Sequence, residues 1–492
     1  MARNKLLQVN DLSIAFKSKK DENIIYKNAM LEIYQGEVIG LLGPSGSGKS
    51  VLAKTIFNAA LGHNCESSGS IQYFKSGNEQ VQLFPAKTGR NHRIYGKEIS
   101  MVFQEPALAF NPVLRVGHQI VEVVRKHQKI GKAKAMDLVK DRVERVGLSG
   151  SEHLDRYPHE LSGGQLQRLM ILMAIINEPR LLIADEPTTS LDSINQKQVL
   201  DLLKNLHREG MAILIITHDK KVLNYMNARP YEVLNRGLSL CEHLNENEVT
   251  VEKGAVSKDE NVVRLRDMRV QFKELVAVNG ISLELQKNEI LGIVGPSGCG
   301  KSTLSKAICN LLPYSGTVDP NYPKGKVQMV FQHPGAALDP SQTIGDAVQE
   351  ALRVSGLKAR KNRRARAFEL FGQVGLDTKF YDYYPHQVSG GMKQRACIAR
   401  ALATSPEILI CDEAVSSLDA ELKWKIARLL LSLAAEKGMS LIFISHDIEL
   451  VNKLCHRVLV IDSGNLVEEF EPKDGYMPQS PTLQKLLEAR LG

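Results

Sequence analysis

A chain of 492 residues is longer than a single hydrophobic core ordinarily organises, which predicts two or more domains, each with a sizeable apolar interior. Hydrophobic residues at 43% and charged residues at 24% fit a globular protein, and no apolar run approaches the roughly 18 residues of a membrane span. The balance of 63 Lys plus Arg against 55 Asp plus Glu leaves +8, too thin over this length to argue for a nucleic-acid partner.

The start, MARNKLLQVNDLSIAF, lacks an apolar signal region, so a cytosolic chain is expected. The seven cysteines (Cys65, Cys241, Cys299, Cys309, Cys397, Cys411 and Cys455) are scattered and never spaced as CxxC, which predicts reduced thiols. The first strong pattern is EVIGLLGPSGSGKSVLAK, an apolar strand, a glycine-rich turn over residues 43–50 and a helical pattern. MVFQEPALAFNP follows, carrying Gln104. The segment VGHQIVEVVRKHQKIGKAKAMDLVKDRVERVGL has helical periodicity and predicts a helical subdomain inserted into an α/β core. PHELSGGQLQRLMILMA comes next, then LLIADEPTTSLD, AILIITHD and a closing strand pattern, YEVLNRGLSLCE. Residues 243–260, HLNENEVTVEKGAVSKDE, are polar and without an apolar period, and predict a linker between a first domain at 1–242 and a second at 261–492.

The second half repeats the first in the same order: EILGIVGPSGCGKSTLSK, MVFQHPGAALDP, PHQVSGGMKQRACIARA, ILICDEAVSSLD, LIFISHD and HRVLVIDSGNLVEE. In both copies 23 residues separate the serine of Ser-Gly-Gly from the strand-end aspartate. Such repetition predicts two tandem P-loop domains of one α/β fold, each with a largely parallel sheet. The basic run LKARKNRRARAF reads as a solvated helix face.

Each half carries a phosphate site. Gly43, Pro44, Ser45, Gly46, Ser47, Gly48, Lys49 and Ser50, followed by Val51, spell the first loop; Gly295, Pro296, Ser297, Gly298, Cys299, Gly300, Lys301 and Ser302, followed by Thr303, spell the second. Glycines let the backbone turn tightly enough for successive N–H groups to point at phosphate oxygens, and the helix N-terminus adds its positive dipole end. Lys49 and Lys301 would bridge the β- and γ-phosphates, while Ser50 and Ser302 would hold Mg2+. Asp185 and Asp412 end apolar runs, where a carboxylate can hold the metal's water shell. Glu186 and Glu413, the next residues, can reach a water attacking the γ-phosphate as polarising bases or orienting groups. His218 and His446 recur at one offset after apolar runs; a lone histidine there is structural, but the recurrence favours a γ-phosphate sensor.

With P-loop, glutamine stretch, Ser-Gly-Gly signature, Asp-Glu pair and histidine in this order, each half resembles an ATP-binding-cassette ATPase over nearly all its length. The resemblance implies ATP and Mg2+ as cofactors. It also implies two cassettes facing head to tail as an intramolecular pseudo-dimer, each ATP lying between the P-loop of one and the signature of the other. One site would then use Lys49, Ser50, Asp185 and Glu186 with Ser389, Gly390 and Gly391. The other would use Lys301, Ser302, Asp412 and Glu413 with Ser162, Gly163, Gly164 and Gln165. Gln104 and Gln332 match the Q-loop glutamine that touches Mg2+ and faces the transmembrane partner, and Asp192 and Asp419 match the D-loop. Phe16 and Phe272 stand where the family's adenine-stacking aromatic belongs, 33 residues before Lys49 and 29 before Lys301, the extra loop KSKKDEN fitting the difference. A core phenylalanine is the alternative at both positions.

Within the family, QEPALAFNP, GKEISMVFQEP, ADEPTTSLD and CDEAVSSLD look most like the dipeptide, oligopeptide and nickel importer ATPases, here fused in one chain. That resemblance implies two transmembrane permease subunits, an extracytoplasmic solute-binding protein and a peripheral place on the cytoplasmic face of the plasma membrane, with peptide, nickel or metal chelate as cargo. The customary histidine-proline-tyrosine-threonine tail is missing from the first half and worn to QSPTLQKLL in the second. The cysteine cluster of some relatives is absent, so no iron–sulfur centre is expected. Translation factors with tandem cassettes carry a long, charged helical linker that HLNENEVTVEKG does not offer. Fused sugar-importer ATPases typically have an altered second P-loop, whereas GPSGCGKST is intact, and Glu186 and Glu413 argue against a purely regulatory scaffold. Gln165 is answered by Met392 in the second signature. Because serine hydroxyl and glycine amides form most of that cradle, two competent but unequal sites are expected.

Overall fold

The computed structural model describes residues 4–17, 22–44, 46–58, 64–75, 79–85, 94–189, 191–241, 254, 256–319, 325–415, 420–473 and 475–491. Ser45, Asp419 and most of the expected linker lie outside the described residues. Two compact units are formed, the first within Met1–Leu191 and Asn195–Asn247, the second within Glu248–Arg490.

In the first unit a six-stranded sheet runs in the order Gly237–Leu240, Arg229–Leu234, Val38–Leu42, Ala212–Ile216, Leu181–Asp185, Ile99–Val102. All neighbours are parallel except the edge pair at Gly237–Leu240. The central strands VIGLL, AILII and LLIAD are buried at every position, as a parallel sheet covered on both faces requires. The second unit repeats this order with Val327–Val330, Ile408–Asp412, Ser440–Ile444, Ile290–Val294, Arg457–Asp462 and Asn465–Phe470, again closing on an antiparallel edge pair.

Each unit also has an antiparallel sheet that the sequence pattern did not announce. In the first unit it runs Glu22–Tyr34, Lys5–Lys17, Cys65–Phe74, Gln80–Phe84; in the second, Leu275–Lys287, Ser257–Phe272, Ser315–Val318. The long strands are broken by register shifts around Asp11 and Asp267, both left-handed at φ 47° and 52°, so the period-two alternation of a strand changes phase midway. Strand Ser257–Phe272 starts by pairing Ser257 with Lys287, inside the stretch expected as linker.

The inserted helices lie between the glutamine stretch and the signature in each unit. Val116–His127 buries Val116, Ile120, Val121 and Val124 on one stripe, and Ile344–Val354 does the same with Ile344, Val348 and Leu352. The basic run forms helix Arg360–Gln373, which buries Ala367, Leu370 and Phe371 and leaves Arg360, Lys361 and Arg364 exposed. The trace QSPTLQKLL becomes helix Pro481–Glu488, whose Ser480 cap donates its amide to Glu468 at 2.8 Å.

Candidate active site

In both units the loop after the central strand (Val38–Leu42, Ile290–Val294) turns into helix Lys49–Ile56 or Lys301–Ile308. The turn rests on Gly48 (φ 103°) and Gly300 (φ 107°), left-handed caps that other residues adopt only under strain. A Cβ on Gly48 would meet Ile25 Cγ2 at 2.3 Å, and one on Gly300 would meet the Ala277 carbonyl at 2.3 Å. Lys49 is buried, its Nζ donating to the carbonyls of Gly43 (2.7 Å) and Pro44 (2.9 Å). Lys301 does the same to Gly295 and Pro296, both at 2.8 Å. Each ammonium is thus held across its own loop, where it adds positive charge to the amides of the turn. Val51 and Thr303 sit in the first helical turns.

Strand order brings the remaining groups together. The strands leading to Gln104, Glu186 and His218 are neighbours in the sheet, so three side chains far apart in sequence converge at one edge. Gln104 Nε2 donates to Glu186 Oε2 at 2.9 Å, the Thr189 hydroxyl donates to the same oxygen at 3.0 Å, and His218 Nδ1 lies 3.6 Å from Oε1. In the second unit Gln332 Nε2 donates to Glu413 Oε2 at 2.5 Å, and His446 Nδ1 lies 3.6 Å from Glu413 Oε1. Glu186 and Glu413 both have left-handed backbones (φ 46° and 47°), uncommon for a residue with a side chain. Their amides donate to Ile216 and Ile444, which pins the turn to the next strand.

Ser50 Oγ donates to Asp185 Oδ1 and Ser302 Oγ to Asp412 Oδ1, each at 3.0 Å. A hydroxyl and a buried carboxylate are hard oxygen donors of the kind Mg2+ takes. Burial raises both aspartate carboxyls above their ordinary range, against the serine hydrogen bonds, and a cation would reverse that.

Burial would also raise Glu186, but the short-range and charge interactions with His218, with help from Thr189 and Lys49, leave it below its ordinary value. The Glu186 carboxylate in turn outweighs burial and raises His218. The stability His218 contributes is complete below its unfolded pKa and lost as pH rises through the folded one. That from Glu186 is present above its unfolded pKa and lost as pH falls through the folded one. Glu186→Gln is therefore expected to move the His218 titration down toward its ordinary value in histidine-labelled NMR. An unmoved titration would break the assigned pairing.

The signature serines cap helices Gly163–Ile175 and Gly390–Leu402. Ser162 Oγ accepts from the Gln165 amide (3.3 Å), and Gln165 Oε1 accepts in return from the Ser162 amide (3.0 Å), a reciprocal capping box. Ser389 Oγ accepts from the Met392 amide (3.4 Å); Met392 has no acceptor to return and packs instead against the apolar core. Gly163 and Gly390 are open, whereas a Cβ on Gly164 would meet Asn195 and one on Gly391 would meet Leu422.

The two expected adenine platforms differ. Phe272 is 45% exposed at a strand end, while Phe16 is half-buried against its sheet. Asp192 is buried. Thr189, which holds the Glu186 carboxylate, was missed by sequence reasoning, because its only signal is the threonine pair after the apolar Asp-Glu strand.

The family model described as ABC transporter matches residues 26–189 and 278–416. The glutathione import ATP-binding protein GsiA of Escherichia coli O6:H1 is 35% identical to this chain over 98% of it and 89% of that protein. The GsiA protein of Escherichia coli strain K12 is 34% identical over the same shares. Among solved structures, the complex of archaeal ribosomal stalk protein aP1 and archaeal ribosome recycling factor aABCE1 matches with a TM-score of 0.66 at 20% identity, over 96% of this chain and 92% of that one, a likeness of fold alone. Both matched stretches contain a P-loop lysine, a glutamine at the sheet edge and a strand-end Asp-Glu pair, and the chain belongs to the ABC transporter family as one of its ATP hydrolases.

Proposed function

We propose that this chain powers import of small peptides across a membrane, with nickel or another metal chelate as the alternative cargo. The observation that carries this reading is the similarity, through both cassettes, to proteins named for import of glutathione, itself a short peptide. ATP with Mg2+ would bind at each P-loop, with Ser50, Asp185 and Gln104, or Ser302, Asp412 and Gln332, around the metal. Lys49 and Lys301 would neutralise phosphate charge, Glu186 and Glu413 would polarise the attacking water, and His218 and His446 would sense the γ-phosphate. The family resemblance supports pairing of the two cassettes as a pseudo-dimer, with Ser162, Gly163, Gly164 and Gln165, or Ser389, Gly390 and Gly391, completing the opposite site, and with Phe16 and Phe272 against adenine.

Two permease subunits and an extracytoplasmic binding protein are the proposed partners, and the chain would work at the cytoplasmic face of the membrane. Among the described residues no helix is long and apolar enough to cross one. The loop after Gln104 exposes Leu108 (80%) and Val113 (74%), apolar side chains suited to a partner's surface. The corresponding second loop offers Ala336 and Ser341. Cysteines at Leu108 and Ala336 are expected to cross-link to copurified membrane subunits, and vesicles bearing the complex are expected to accumulate radiolabelled glutathione or short peptides with ATP. Cross-linking to ribosomes instead would favour the translation-factor reading, which the likeness of fold does not by itself support.

A further inference from the structure

The Glu–His pairs of the two units are built alike but held differently. In the second unit Asp447 directly follows His446 and caps helix Ile448–Leu454. Its Oδ1 accepts from the Glu449 and Leu450 amides, both at 3.1 Å, and its own amide donates to Ser445 Oγ at 3.0 Å. The other carboxylate oxygen is paired with Lys423 Nζ. Lys423 lies in the first turn of helix Ala420–Lys437, which the chain enters shortly after Glu413. Lys423 is thus ion-paired to Asp447, the next residue after His446, whose Nδ1 lies 3.6 Å from Glu413. A second contact ties the same two helices, with Lys453 Nζ 5.5 Å over the Trp424 ring and donating to Glu449 at 3.1 Å. Burial alone would raise the Asp447 carboxyl, but Lys423 and the Leu450 amide hold it well below the usual carboxylate range.

The first unit has no cation at the sequence offset of Lys423. Its helix Ser193–Arg208 carries Gln196 at the offset of Lys423, and Asp219 beside His218 accepts from the Lys221 amide at 2.9 Å. Contacts to helix Lys220–Tyr225 there include the far end, where the Tyr225 hydroxyl donates to Asp201 and Lys204 Nζ lies 3.5 Å over the Tyr225 ring.

We infer that Lys423 is a positioning residue for ATP hydrolysis at the Glu413 site: it fastens residues 445–447 to helix Ala420–Lys437 and so sets the approach of His446 to Glu413. The inference rests on the proposed roles of Glu413 and His446. Small displacements of a reacting pair are costly, about a hundredfold for roughly 1 Å. A freed but still capped loop should move less than that.

The test uses the full chain in a Glu186→Gln background, so that residual turnover reports the Glu413 site. Lys423→Met is expected to lower that turnover about tenfold, with KM for ATP within about twofold. Lys423→Arg should restore it, and the His446 imidazole resonances should shift in the methionine variant while those of His218 stay in place. Unchanged turnover in Lys423→Met, alongside loss of turnover in His446→Ala, would overturn the role of Lys423 alone. Unchanged turnover in His446→Ala would overturn the roles of the pair and this inference with it. A fall matched by lost ATP affinity and lowered Tm, with His446 resonances unmoved, would show a merely structural lysine and also overturn it.

Discussion

Glu186→Gln and Glu413→Gln together are expected to cut ATP turnover by about 10²- to 10⁴-fold while ATP remains bound, each single change leaving residual turnover from the other site. Each carboxylate stands at the end of a buried strand on a left-handed backbone, held by a glutamine on one oxygen and faced by a histidine on the other. Glutamine matches the shape but carries no charge to polarise a water, and it gives the neighbouring imidazole no anion to face. Lys49 and Lys301, Ser50 and Ser302 are untouched by the change, so nucleotide binding should persist and the product-forming step should fail. Steady-state hydrolysis and retained nucleotide can be read on one preparation. Turnover like wild type in the double variant would remove both glutamates from the mechanism.

Ser389→Arg is expected to abolish hydrolysis at the site that the proposed pairing builds on Lys49, whereas Met392→Gln should change activity less than about tenfold. Ser389 is exposed at a helix N-terminus, beside an open Gly390, and its hydroxyl caps the Met392 amide. Arginine there removes the cap, fills the approach to the helix amides and takes the place of an anion. Loss of a preorganised donor to developing charge costs about 2.7 to 4 kcal/mol, against about 0.5 to 1.5 kcal/mol for an ordinary side-chain hydrogen bond. Gln165 shows what the missing amide does in the other copy: it accepts from the Ser162 backbone and completes a capping box. Met392 therefore forfeits half of a cap and keeps the serine and both glycines. Activation by orders of magnitude in Met392→Gln would show instead that the second signature is natively silent.

The tandem repeat, the P-loops, the strand-end Asp-Glu pairs and the inserted helices were legible in the sequence because each is a local pattern. A phosphate cradle is made of consecutive backbone amides and needs its glycines in one short run, and a fully buried parallel strand must be apolar without interruption. The antiparallel sheets were hidden because the bulges near Asp11 and Asp267 shift the alternation that would reveal a strand. Phe16 and Phe272 precede their P-loop lysines by 33 and 29 residues, yet only packing makes one half-buried and the other exposed. The convergence of Gln104, Glu186 and His218 belongs to the order of strands within the sheet, which no single segment encodes. The Lys423–Asp447 pair belongs to helices packed at the same edge. Spacing along the chain sets what one turn can hold; which side chains meet across the sheet edge is decided by burial, since hydrophobic strands and helices must first be stacked before their polar ends can face one another.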